Sequence, residues 1–505
     1  MTSGIHHVTA ITRDVQANVD FWMGFLGLSL VKQSAGFEDA EQLHLFYGDP
    51  AGTPGSLVSF LVWQDGAPGR VGHGRVAEVA LAIPRARIGD WLTRAMQHGL
   101  RIEGPTREWK EPVLRLRDPD GIIVTLVGTD ARDTGWPAAP ARIRAVTIWS
   151  QVPEQTAAFL RPLGYRAGAV EGRVTRLVSA TDAIDIRDAS GFVPGIPGTG
   201  VIDHLALRVP DLAALRDQHD RLKTRNAGDV TVHDRSYFTS LYVREPGDVL
   251  IELATDGPGM AVDEAADALG RTLMFPPQAA DRDDLRLRLP QFARPGEERT
   301  PMRDLPFVHR LHQPDAPDGS AMMLLHGTGG SESDLMPLAH RVAPQATLLG
   351  VRGRSTEEGV ARFFRRLTMT TFDQDDIRAE ARAFAAFWQG AIAAYDLDPA
   401  RITVMGYSNG ANFAGAVMGL HPGLIRLAIL MRPMAVLEDL PQADLAGLSV
   451  LTLTGARDPY GPHAPRLNAW LASQGADLDA QVVQAGHDLT AEDLTAAAEW
   501  MRKTR

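Results

Sequence analysis

Residues 248–255 read Asp-Val-Leu-Ile-Glu-Leu-Ala-Thr, a short apolar run with a turn containing Pro and Gly on each side. This pattern predicts a β-strand that is closed at both ends. Successive side chains of a strand point to opposite faces, so Glu252 shares a face with Leu250 and Ala254. A carboxylate among apolar neighbours is costly unless a cation or hydrogen-bond donors meet it. An arginine or a sheet edge that faces water is the ordinary answer, and the rest of the chain decides whether it applies.

The composition is that of an ordinary globular protein. It has 505 residues, of which 44% are hydrophobic and 22% are charged, with a formal net charge of -11. This length predicts roughly three to four domains. No basic run is long enough to predict a nucleic-acid partner or binding to an anionic membrane surface.

Cysteine is absent from the sequence, which excludes disulfides, thiolate metal sites and cysteine nucleophiles. The same absence fits a reducing compartment, and we expect a cytoplasmic protein. The N-terminal residues lack a basic segment followed by an apolar one, and no apolar run approaches about 20 residues. We therefore predict neither a signal peptide nor a membrane span.

The N-terminal half contains a fourfold repeat of a strand, a helix and a group of strands. We place the four modules at about residues 1–65, 73–130, 141–190 and 199–256. One position of the opening strands is occupied by His7, Glu78, Ala145 and His204 in turn. The residue equivalent to Glu252 in the second module is Thr125. The fold itself therefore does not require an acid or a histidine at these positions.

Four motifs give this half a family likeness: Gly4-Ile-His-His-Val-Thr, Asp203-His-Leu-Ala-Leu-Arg, Arg235-Ser-Tyr-Phe-Thr-Ser-Leu-Tyr-Val-Arg-Glu-Pro-Gly and Glu252-Leu-Ala-Thr-Asp-Gly-Pro-Gly. Together they resemble the vicinal oxygen chelate (VOC) superfamily, which is built from βαβββ modules. The likeness is greatest to its ring-cleaving dioxygenases of the hydroquinone type. It covers about residues 1–290.

The resemblance implies a metal centre with His7, His204 and Glu252 as ligands. Two histidines and one carboxylate with open positions suit non-haem Fe(II), with Mn(II) and Zn(II) as alternatives. A small aromatic diol and O2 are then the expected partners. One ion can bind all three residues only if the first and fourth modules pair, which leaves the second and third as a metal-free half. In that half we expect Glu78 to be salt-bridged or metal-free.

The resemblance also implies supporting roles for three neighbours of this centre. His6 and Tyr242 match positions that move protons or hydrogen-bond the substrate oxygens. Arg235 matches a position that orients an anionic substrate.

Residues 291–317 are rich in proline, arginine and acidic residues and predict a surface linker. Residues 318–505 then predict an α/β-hydrolase domain. Gly406-Tyr-Ser-Asn-Gly follows an apolar strand and precedes a helix, which is the context of a nucleophile elbow at Ser408. Asp458 comes directly after a later strand and His487 after the next one, in the chain order of an α/β-hydrolase triad.

His421 and His463 compete with His487, but neither follows a strand at the right place in the order. Backbone N–H groups of Thr328 and Asn409 are the expected oxyanion hole. Together with Gly455-Ala-Arg-Asp-Pro and Ala485-Gly-His-Asp, these motifs resemble serine hydrolases of the carboxylesterase and phospholipase type. Many relatives have Phe-Ser-Gln at the nucleophile where this chain has Tyr-Ser-Asn, so the acyl specificity stays open.

The sequence therefore predicts a bifunctional enzyme: an Fe(II)-dependent ring-cleaving dioxygenase joined to a serine esterase with an ester substrate. Two alternatives remain for the N-terminal half. It could be a metal isomerase or lyase of the glyoxalase kind, or a metal-free module that binds ligands. The ring substituents, the natural ester and the oligomeric state, including a homo-oligomer, stay open.

Overall fold

The computed structural model of the chain describes residues 4–224, 231–299 and 303–504. It divides into two compact units, Met1–Leu285 with Leu289–Arg299 and Arg286–Arg288 with Thr300–Arg505. Residues 300–302 of the predicted linker lie outside the described residues. The module, linker and hydrolase boundaries given above remain our proposal for the domain organisation.

The N-terminal unit repeats a βαβββ order four times, which confirms the predicted fold class. The first copy comprises β1 (Ile5–Thr12), α1 (Val15–Val19) with a π-helical turn (Asp20–Phe25), β2 (Ser29–Ala35), β3 (Leu43–Gly48) and β4 (Leu57–Val62). The second comprises β5 (Arg75–Pro84), α2 (Ile88–Gln97), β6 (Ile102–Glu108), β7 (Glu111–Arg117) and β8 (Ile123–Thr129). The third comprises β9 (Arg142–Ser150), α3 (Pro153–Leu160), β10 (Arg166–Glu171), β11 (Val174–Val178) and β12 (Ala183–Asp188). The fourth comprises β13 (Ile202–Val209), α4 (Leu212–Lys223), β14 (Thr231–Asp234), β15 (Phe238–Arg244) and β16 (Leu250–Pro258).

Each opening strand lies beside the last strand of its own copy and the opening strand of another copy. The pairs β1–β4, β5–β8, β9–β12 and β13–β16 are parallel. β1 pairs antiparallel with β13, and β5 pairs antiparallel with β9. The first and fourth copies therefore form one half and the second and third the other, which confirms the predicted pairing.

The strand register also supports the alignment of the repeats. Each residue of the shared position lies level with the first residue of its copy's last strand: His7 with Leu57, Glu78 with Ile123, Ala145 with Ala183 and His204 with Leu250. Two residues further along those last strands stand Ser59, Thr125, Asp185 and Glu252. Glu252 and Thr125 are thus equivalent, as predicted.

The two halves differ in the side chains beside this position. In the first half, a buried cluster includes the rings of Phe46, Tyr237 and Phe238. In the second half, the corresponding cluster consists of small aliphatic residues such as Ala80 and Ala145. The aromatic lining therefore belongs to the half that carries two histidines.

The segment after β16 closes against the first copy. Its strand β17 (Leu273–Met274) pairs with β2, and the helix α5 (Arg282–Arg288) follows. Lys32 on β2 is fully buried and its Nζ donates to Asp263 Oδ1 at 2.6 Å and Glu264 Oε2 at 2.5 Å. Because a buried ammonium needs such partners, this contact fixes the closing segment beside β2.

The C-terminal unit is a seven-stranded sheet of order β18-β20-β19-β21-β22-β23-β24 with helices between the strands, and it confirms the α/β-hydrolase prediction. Its strands are β18 (His309–His312), β19 (Ala321–Leu325), β20 (Thr347–Val351), β21 (Ile402–Tyr407), β22 (Leu427–Met431), β23 (Ser449–Gly455) and β24 (Asp477–Val483). Its helices are α6 (Met336–Val342), α7 (Gln374–Tyr395), α8 (Asn409–Leu420), α9 (Ala464–Ser473) and α10 (Ala491–Thr504).

The structure differs from the predicted linker at one place. Strand β18 lies inside residues 291–317, yet it pairs antiparallel with β20 at the edge of the hydrolase sheet. Prolines flank this four-residue strand, so the composition of the segment predicts a linker. The strand is held by hydrogen bonds to β20, which the local sequence does not show.

Among the described residues, we find no helix with the length and apolar character needed to cross a bilayer.

Candidate functional site

Three side chains from three strands of the N-terminal unit converge on one point. His7 Nε2 lies 3.2 Å and His204 Nε2 lies 2.9 Å from Glu252 Oε2. One ligand atom from each of the three residues lies within 4.8 Å of the other two. The antiparallel pairing of β1 with β13 and the parallel pairing of β13 with β16 bring them together. In the described part of the chain, this is the one such group of three.

These residues fit a divalent metal ion. Glu252 is 0% exposed, and its Oε2 has no hydrogen bond of acceptable geometry although two imidazole nitrogens face it. Two neutral imidazoles and one carboxylate form the donor set of non-haem Fe(II) centres. A buried carboxylate oxygen aimed at two ring nitrogens is the arrangement that a shared cation satisfies.

The charge balance at this point favours a cation. Burial acts to raise the pKa of Glu252, but the adjacent rings of His7 and His204 outweigh it, so that pKa lies well below its usual range. Burial acts to lower the pKa of His204, but its bonds to Asp203 and Glu252 raise that pKa to about 9. The trio thus holds a positive charge beside Glu252, either as a proton or as a metal ion.

Each of the three has a partner that fixes its orientation. Asp203 Oδ2 lies 2.8 Å from His204 Nδ1, and Ser240 Oγ donates to Glu252 Oε1. His6 Nδ1 lies 2.9 Å from His7 Nδ1, so His6 supports the ring next to it. Such contacts orient metal ligands and tune their affinity. Ser240 and Asp203 escaped the sequence reasoning, although Asp203 directly precedes His204 in its motif.

A pocket of about 520 Å³ opens beside the three residues, large enough for a one-ring substrate. His7 and His204 line it together with aromatic side chains. The aromatic members are Phe37, Phe46, Tyr237, Phe238 and Tyr242. Five aromatic side chains in the lining suit a flat aromatic ring, and the polar lining residues can meet its substituents.

Of the three predicted supporting residues, Tyr242 and Arg235 line this pocket, whereas His6 is not among its lining residues. Burial and the charge of Glu252 raise the pKa of Tyr242, so its hydroxyl keeps its proton. Arg235 Nη2 donates to Glu38 Oε1 at 2.9 Å, and its guanidinium lies 5.5 Å from the Tyr242 ring. The ring of His6 instead makes an edge contact with the ring of His7, and its predicted role toward the substrate stays a prediction.

His44 on β3 is a pocket residue that the sequence reasoning missed. Its Nε2 lies 3.1 Å from Ser59 Oγ, which in turn lies 2.8 Å from Thr9 Oγ1. Burial and the nearby His7 lower the pKa of His44 to about 3, so the ring is neutral near pH 7. The alternation of Leu43, His44 and Leu45 was the available signal, but it does not reveal which strand face lines a pocket.

The other half of the N-terminal unit has acids at comparable positions, and arginines neutralise them. Glu78 Oε2 accepts from Arg115 Nε at 3.0 Å, which confirms the predicted salt bridge. Asp185, level with Glu252 in the repeat, accepts from Arg176 at 2.7 and 2.6 Å. These guanidinium groups take the place that a metal ion would need.

In the C-terminal unit, the three predicted triad residues are hydrogen-bonded in series. His487 Nε2 lies 3.0 Å from Ser408 Oγ, and its Nδ1 lies 3.1 Å from both carboxylate oxygens of Asp458. Asp458 is buried and follows β23, and His487 follows β24. His421 and His463 have no such contact with Ser408.

Ser408 occupies a strained turn between β21 and α8. Its φ of 50° and ψ of -112° are rare for a residue other than glycine. A Cβ at Gly406 would lie 2.7 Å from Ala411, and one at Gly410 would lie 2.1 Å from Leu325 O. The two glycines therefore allow the close backbone approach that presents Ser408 at the start of the helix.

Ser408 and His487 line a pocket of about 260 Å³. Thr328 and Asn409 also line it, as the predicted oxyanion hole requires, and Asn409 Oδ1 accepts from Phe363 N at 2.8 Å. His326 does not line this pocket: its Nε2 accepts from Gly353 N at 3.0 Å, which makes it a support for the loop.

Arg432 fixes the loop that carries His487, and sequence reasoning did not identify it. Its Nε donates to Gly486 O at 2.9 Å and its Nη2 to Asp488 O at 2.9 Å, one residue on each side of His487. The same guanidinium makes two bonds, of 2.7 and 2.9 Å, to Asp493, and both side chains are 0% exposed. Tyr407 Oη donates to His487 O at 3.1 Å.

Replacing Arg432 with Ala should therefore destabilise the C-terminal unit by about 3–5 kcal/mol, because Asp493 would be left buried without its partner. Urea unfolding of the full chain, followed by loss of Ser408 labelling with a fluorophosphonate, measures this. Arg457→Ala is the control, since Arg457 donates to Gln484 O at 2.8 Å from an exposed position; we expect a change below about 1 kcal/mol. Equal unfolding midpoints for the two variants would contradict the assignment.

The fold defines a chain with an N-terminal unit of VOC type and a C-terminal unit of α/β-hydrolase type. Residues 4–126 match the Glyoxalase/Bleomycin resistance protein/Dioxygenase superfamily. The chain is 32% identical to "Putative ring-cleaving dioxygenase MhqO" of Bacillus subtilis, over 55% of this chain and 92% of that protein. It is 29% identical to "Chlorohydroquinone/hydroquinone 1,2-dioxygenase" of Sphingobium indicum, over 56% of this chain and 95% of that protein.

A different part of the chain is 35% identical over 186 residues to "Putative hydrolase MhqD" of Bacillus subtilis, which is 36% of this chain and 93% of that protein. The chain therefore belongs to the glyoxalase/bleomycin resistance protein/dioxygenase superfamily through its N-terminal half and to the α/β-hydrolases through its C-terminal part.

Proposed function

We propose that the N-terminal unit cleaves the ring of hydroquinone- or catechol-like aromatics with O2, with Fe(II) held by His7, His204 and Glu252. The observation that carries this proposal is the convergence of two imidazoles and one buried carboxylate at the base of an aromatic pocket. The names of the relatives support the same reaction class. His7, His204 and Glu252 would hold the ion, and an Fe(II) ion bound there would supply the redox chemistry that ring cleavage by O2 needs.

The residues around this centre then act on the diol. Phe46 and Phe238 contact the faces and edges of the aromatic ring. Arg235 attracts the anionic form of the substrate to the pocket mouth, where Glu38 partly neutralises it in the unliganded protein. Tyr242, which keeps its proton, donates a hydrogen bond to a substrate oxygen. The neutral ring of His44 can accept or donate a second hydrogen bond on the opposite wall.

We further propose that Ser408 is the nucleophile of a carboxylic ester hydrolase. His487 takes the proton of Ser408, and Asp458 holds the imidazole and stabilises its charged form. The backbone N–H groups of Thr328 and Asn409 stabilise the oxyanion. The hydrogen-bonded order of the three side chains, with a strained nucleophile turn, carries this second proposal.

The two reactions form a chemically sensible sequence. Inserting both atoms of O2 across a ring carbon–carbon bond converts a diol into a product with a carboxylic acid and a second carbonyl. A hydrolase on the same chain could then process an ester, or a carbon–carbon bond, of that product. If full-length protein carrying Ser408→Ala converts a diol to the same final product as the unaltered protein, the two sites do not act in sequence.

Metal content and O2 consumption decide among the candidate functions of the N-terminal unit. The full chain is loaded with Fe(II), Mn(II), Zn(II) or Ni(II). O2 uptake is recorded with hydroquinone, methylhydroquinone and catechol, and isomerase activity is assayed on a thiol adduct. Iron-dependent O2 uptake supports the dioxygenase. Activity on a thiol adduct with Zn(II) or Ni(II) and without O2 uptake indicates a glyoxalase-like isomerase. An intact fold that takes up no metal indicates a module that only binds ligands.

Replacing Tyr242 with Phe should lower kcat for O2 uptake about a hundredfold, because one positioned proton donor contributes on that order. Metal content should stay unchanged, since Tyr242 is not a ligand. Tyr237→Phe is the matched control: Tyr237 lines the same pocket, but its hydroxyl donates to Asp263 Oδ2 at 3.0 Å. A larger loss in Tyr237→Phe than in Tyr242→Phe would reverse the two roles.

A further inference from the structure

The pocket of the serine triad has an unbalanced charge. Its charged lining residues are Arg366 and Arg432, besides His487, and no carboxylate lines it among the described residues. Arg432 forms an ion pair with Asp493, and its side chain is 0% exposed, so its charge is balanced within the protein. For Arg366, by contrast, no ion pair is found within the described part of the chain. Arg366 therefore lines the pocket of Ser408 as a guanidinium without an ion-pair partner among the described residues.

Arg366 lies in a hairpin that forms one wall of this pocket. An isolated bridge joins Arg366 to Phe372, and Leu367 N donates to Thr371 O at 2.9 Å. Phe372 and Met369 of the same hairpin also line the pocket. The wall thus combines apolar side chains with one cation, which suits an acyl chain that ends in an anion.

The neighbouring Arg365 shows that this pattern is specific to one position. Arg365 Nε lies 3.2 Å from Glu357 Oε1, and its Nη1 lies 3.4 Å from Asp373 Oδ2. Its charge is balanced within the protein, and it does not line the pocket. Of two adjacent arginines, one has carboxylate partners, and the other, which borders the nucleophile, has none among the described residues. A guanidinium binds a carboxylate with two parallel hydrogen bonds, so a carboxylate of the substrate would suit Arg366 as a partner.

We propose that the hydrolase site selects esters that carry a free carboxylate, and that Arg366 binds this carboxylate. The inference rests on the proposed ester hydrolysis at Ser408 and adds the substrate class. A reaction that opens an oxygenated ring supplies the carboxylate of such a substrate, and the ester comes from a substituent that the ring already carried.

Arg366 binds at a distance from the reacting atoms and keeps its charge throughout. Ser408 Oγ bonds to the acyl carbon while its proton moves to His487 Nε2, and that proton leaves with the alcohol as the ester bond breaks. Water then attacks the acyl carbon and gives one proton to His487. The acyl–oxygen bond to Ser408 breaks, Ser408 regains a proton, and the acid is released. One ester and one water thus yield one acid and one alcohol.

The test compares two esters of matched length, ethyl hydrogen glutarate and ethyl pentanoate, by kcat/KM with the full-length protein. Arg366→Gln should lower the anionic-to-neutral selectivity ratio about tenfold to hundredfold, the value of one or two hydrogen bonds to a charged group. Arg366→Lys should keep part of the selectivity, since it retains the charge but not the paired geometry. Arg365→Gln removes the same charge one residue away and should leave the ratio within about twofold of the starting protein.

A second readout does not depend on turnover. A fluorophosphonate labels an activated serine, and glutarate should slow this labelling in the starting protein and in Arg365→Gln, but not in Arg366→Gln. Selectivity or protection that is unchanged in Arg366→Gln, or equally reduced in both variants, overturns the inference. Failure of the fluorophosphonate to label Ser408 in the starting protein would instead overturn the proposed hydrolase itself, so the two failures are distinguishable.

Discussion

Ester hydrolysis by the full chain will fall about 10⁴- to 10⁶-fold when Ser408 is replaced with Ala, the scale of nucleophile loss in other serine triads. The reason is geometric: Ser408 Oγ lies 3.0 Å from His487 Nε2, and no other hydroxyl is placed against that ring by a hydrogen bond in the described residues. Hydrolysis of 4-nitrophenyl acetate, corrected for the uncatalysed rate, measures the effect. Ser473→Ala is the control, because Ser473 Oγ only donates to Trp470 O at the end of α9.

The same variant separates the two proposed activities. The triad and the metal-site residues lie in different compact units, so Ser408→Ala should leave metal content and O2 uptake with hydroquinone unchanged. Asp458→Asn should be less severe for hydrolysis, about 10⁴-fold, because it disturbs the tautomer of His487 and leaves the nucleophile in place. A Ser408→Ala protein that retains more than about 1% of its esterase activity would rule out the triad as the hydrolytic site.

The N-terminal fold could be predicted because its fourfold repeat is visible in the sequence alone. Each copy keeps the same order of strand, helix and strands, and matching positions such as Thr125 and Glu252 can be compared directly. That comparison placed His7 and His204 at one shared position, and the resemblance to the VOC superfamily implied the three ligands and therefore the pairing of the first and fourth copies. The roles of these residues remain predictions until metal binding is measured.

Contacts set by strand register could not be predicted in this way. Ser240 reaches Glu252 because β15 pairs with β16, and His44 enters the pocket because β3 turns that face inward. Both residues are unremarkable in the sequence, since serine and histidine are common on half-exposed strands. These contacts depend on which strands are neighbours in the sheet, and the β-propensity of a segment does not specify its neighbour.

The supports of the triad show a similar limit. Ser408, Asp458 and His487 follow a known chain order, so motif and order were enough to select them. The pairing of Arg432 with Asp493 joins residues that are far apart in sequence, and neither belongs to a motif. The same holds for Arg366, whose significance depends on lacking an ion-pair partner among the described residues, a property that only the folded chain defines.

Glu252→Gln should remove the metal site while preserving the fold. The amide has no negative charge to offset a divalent ion, and outer contacts of metal ligands alone already contribute about tenfold to hundredfold in affinity. Loss of the carboxylate itself should therefore cost at least about a hundredfold in affinity, and iron-dependent O2 uptake should fall at least as much. Metal analysis after desalting and O2 uptake with hydroquinone measure the two effects, and a chelator applied to the unaltered protein should reproduce the second.

Glu78→Gln is the matched control, because Glu78 occupies the position of His7 and His204 in the second copy but is paired with Arg115. It should keep full metal content, since arginine already satisfies the acid in that half. Thr125 stands at the position of Glu252 in the same copy, so the strand folds without an acid there, and circular dichroism of Glu252→Gln should match that of the unaltered protein. Equal metal content in Glu252→Gln and Glu78→Gln would show that Glu252 is a structural acid, satisfied by a proton shared with His204. A loss of metal content in Glu252→Gln but not in Glu78→Gln would instead show that the cation beside Glu252 is a metal ion.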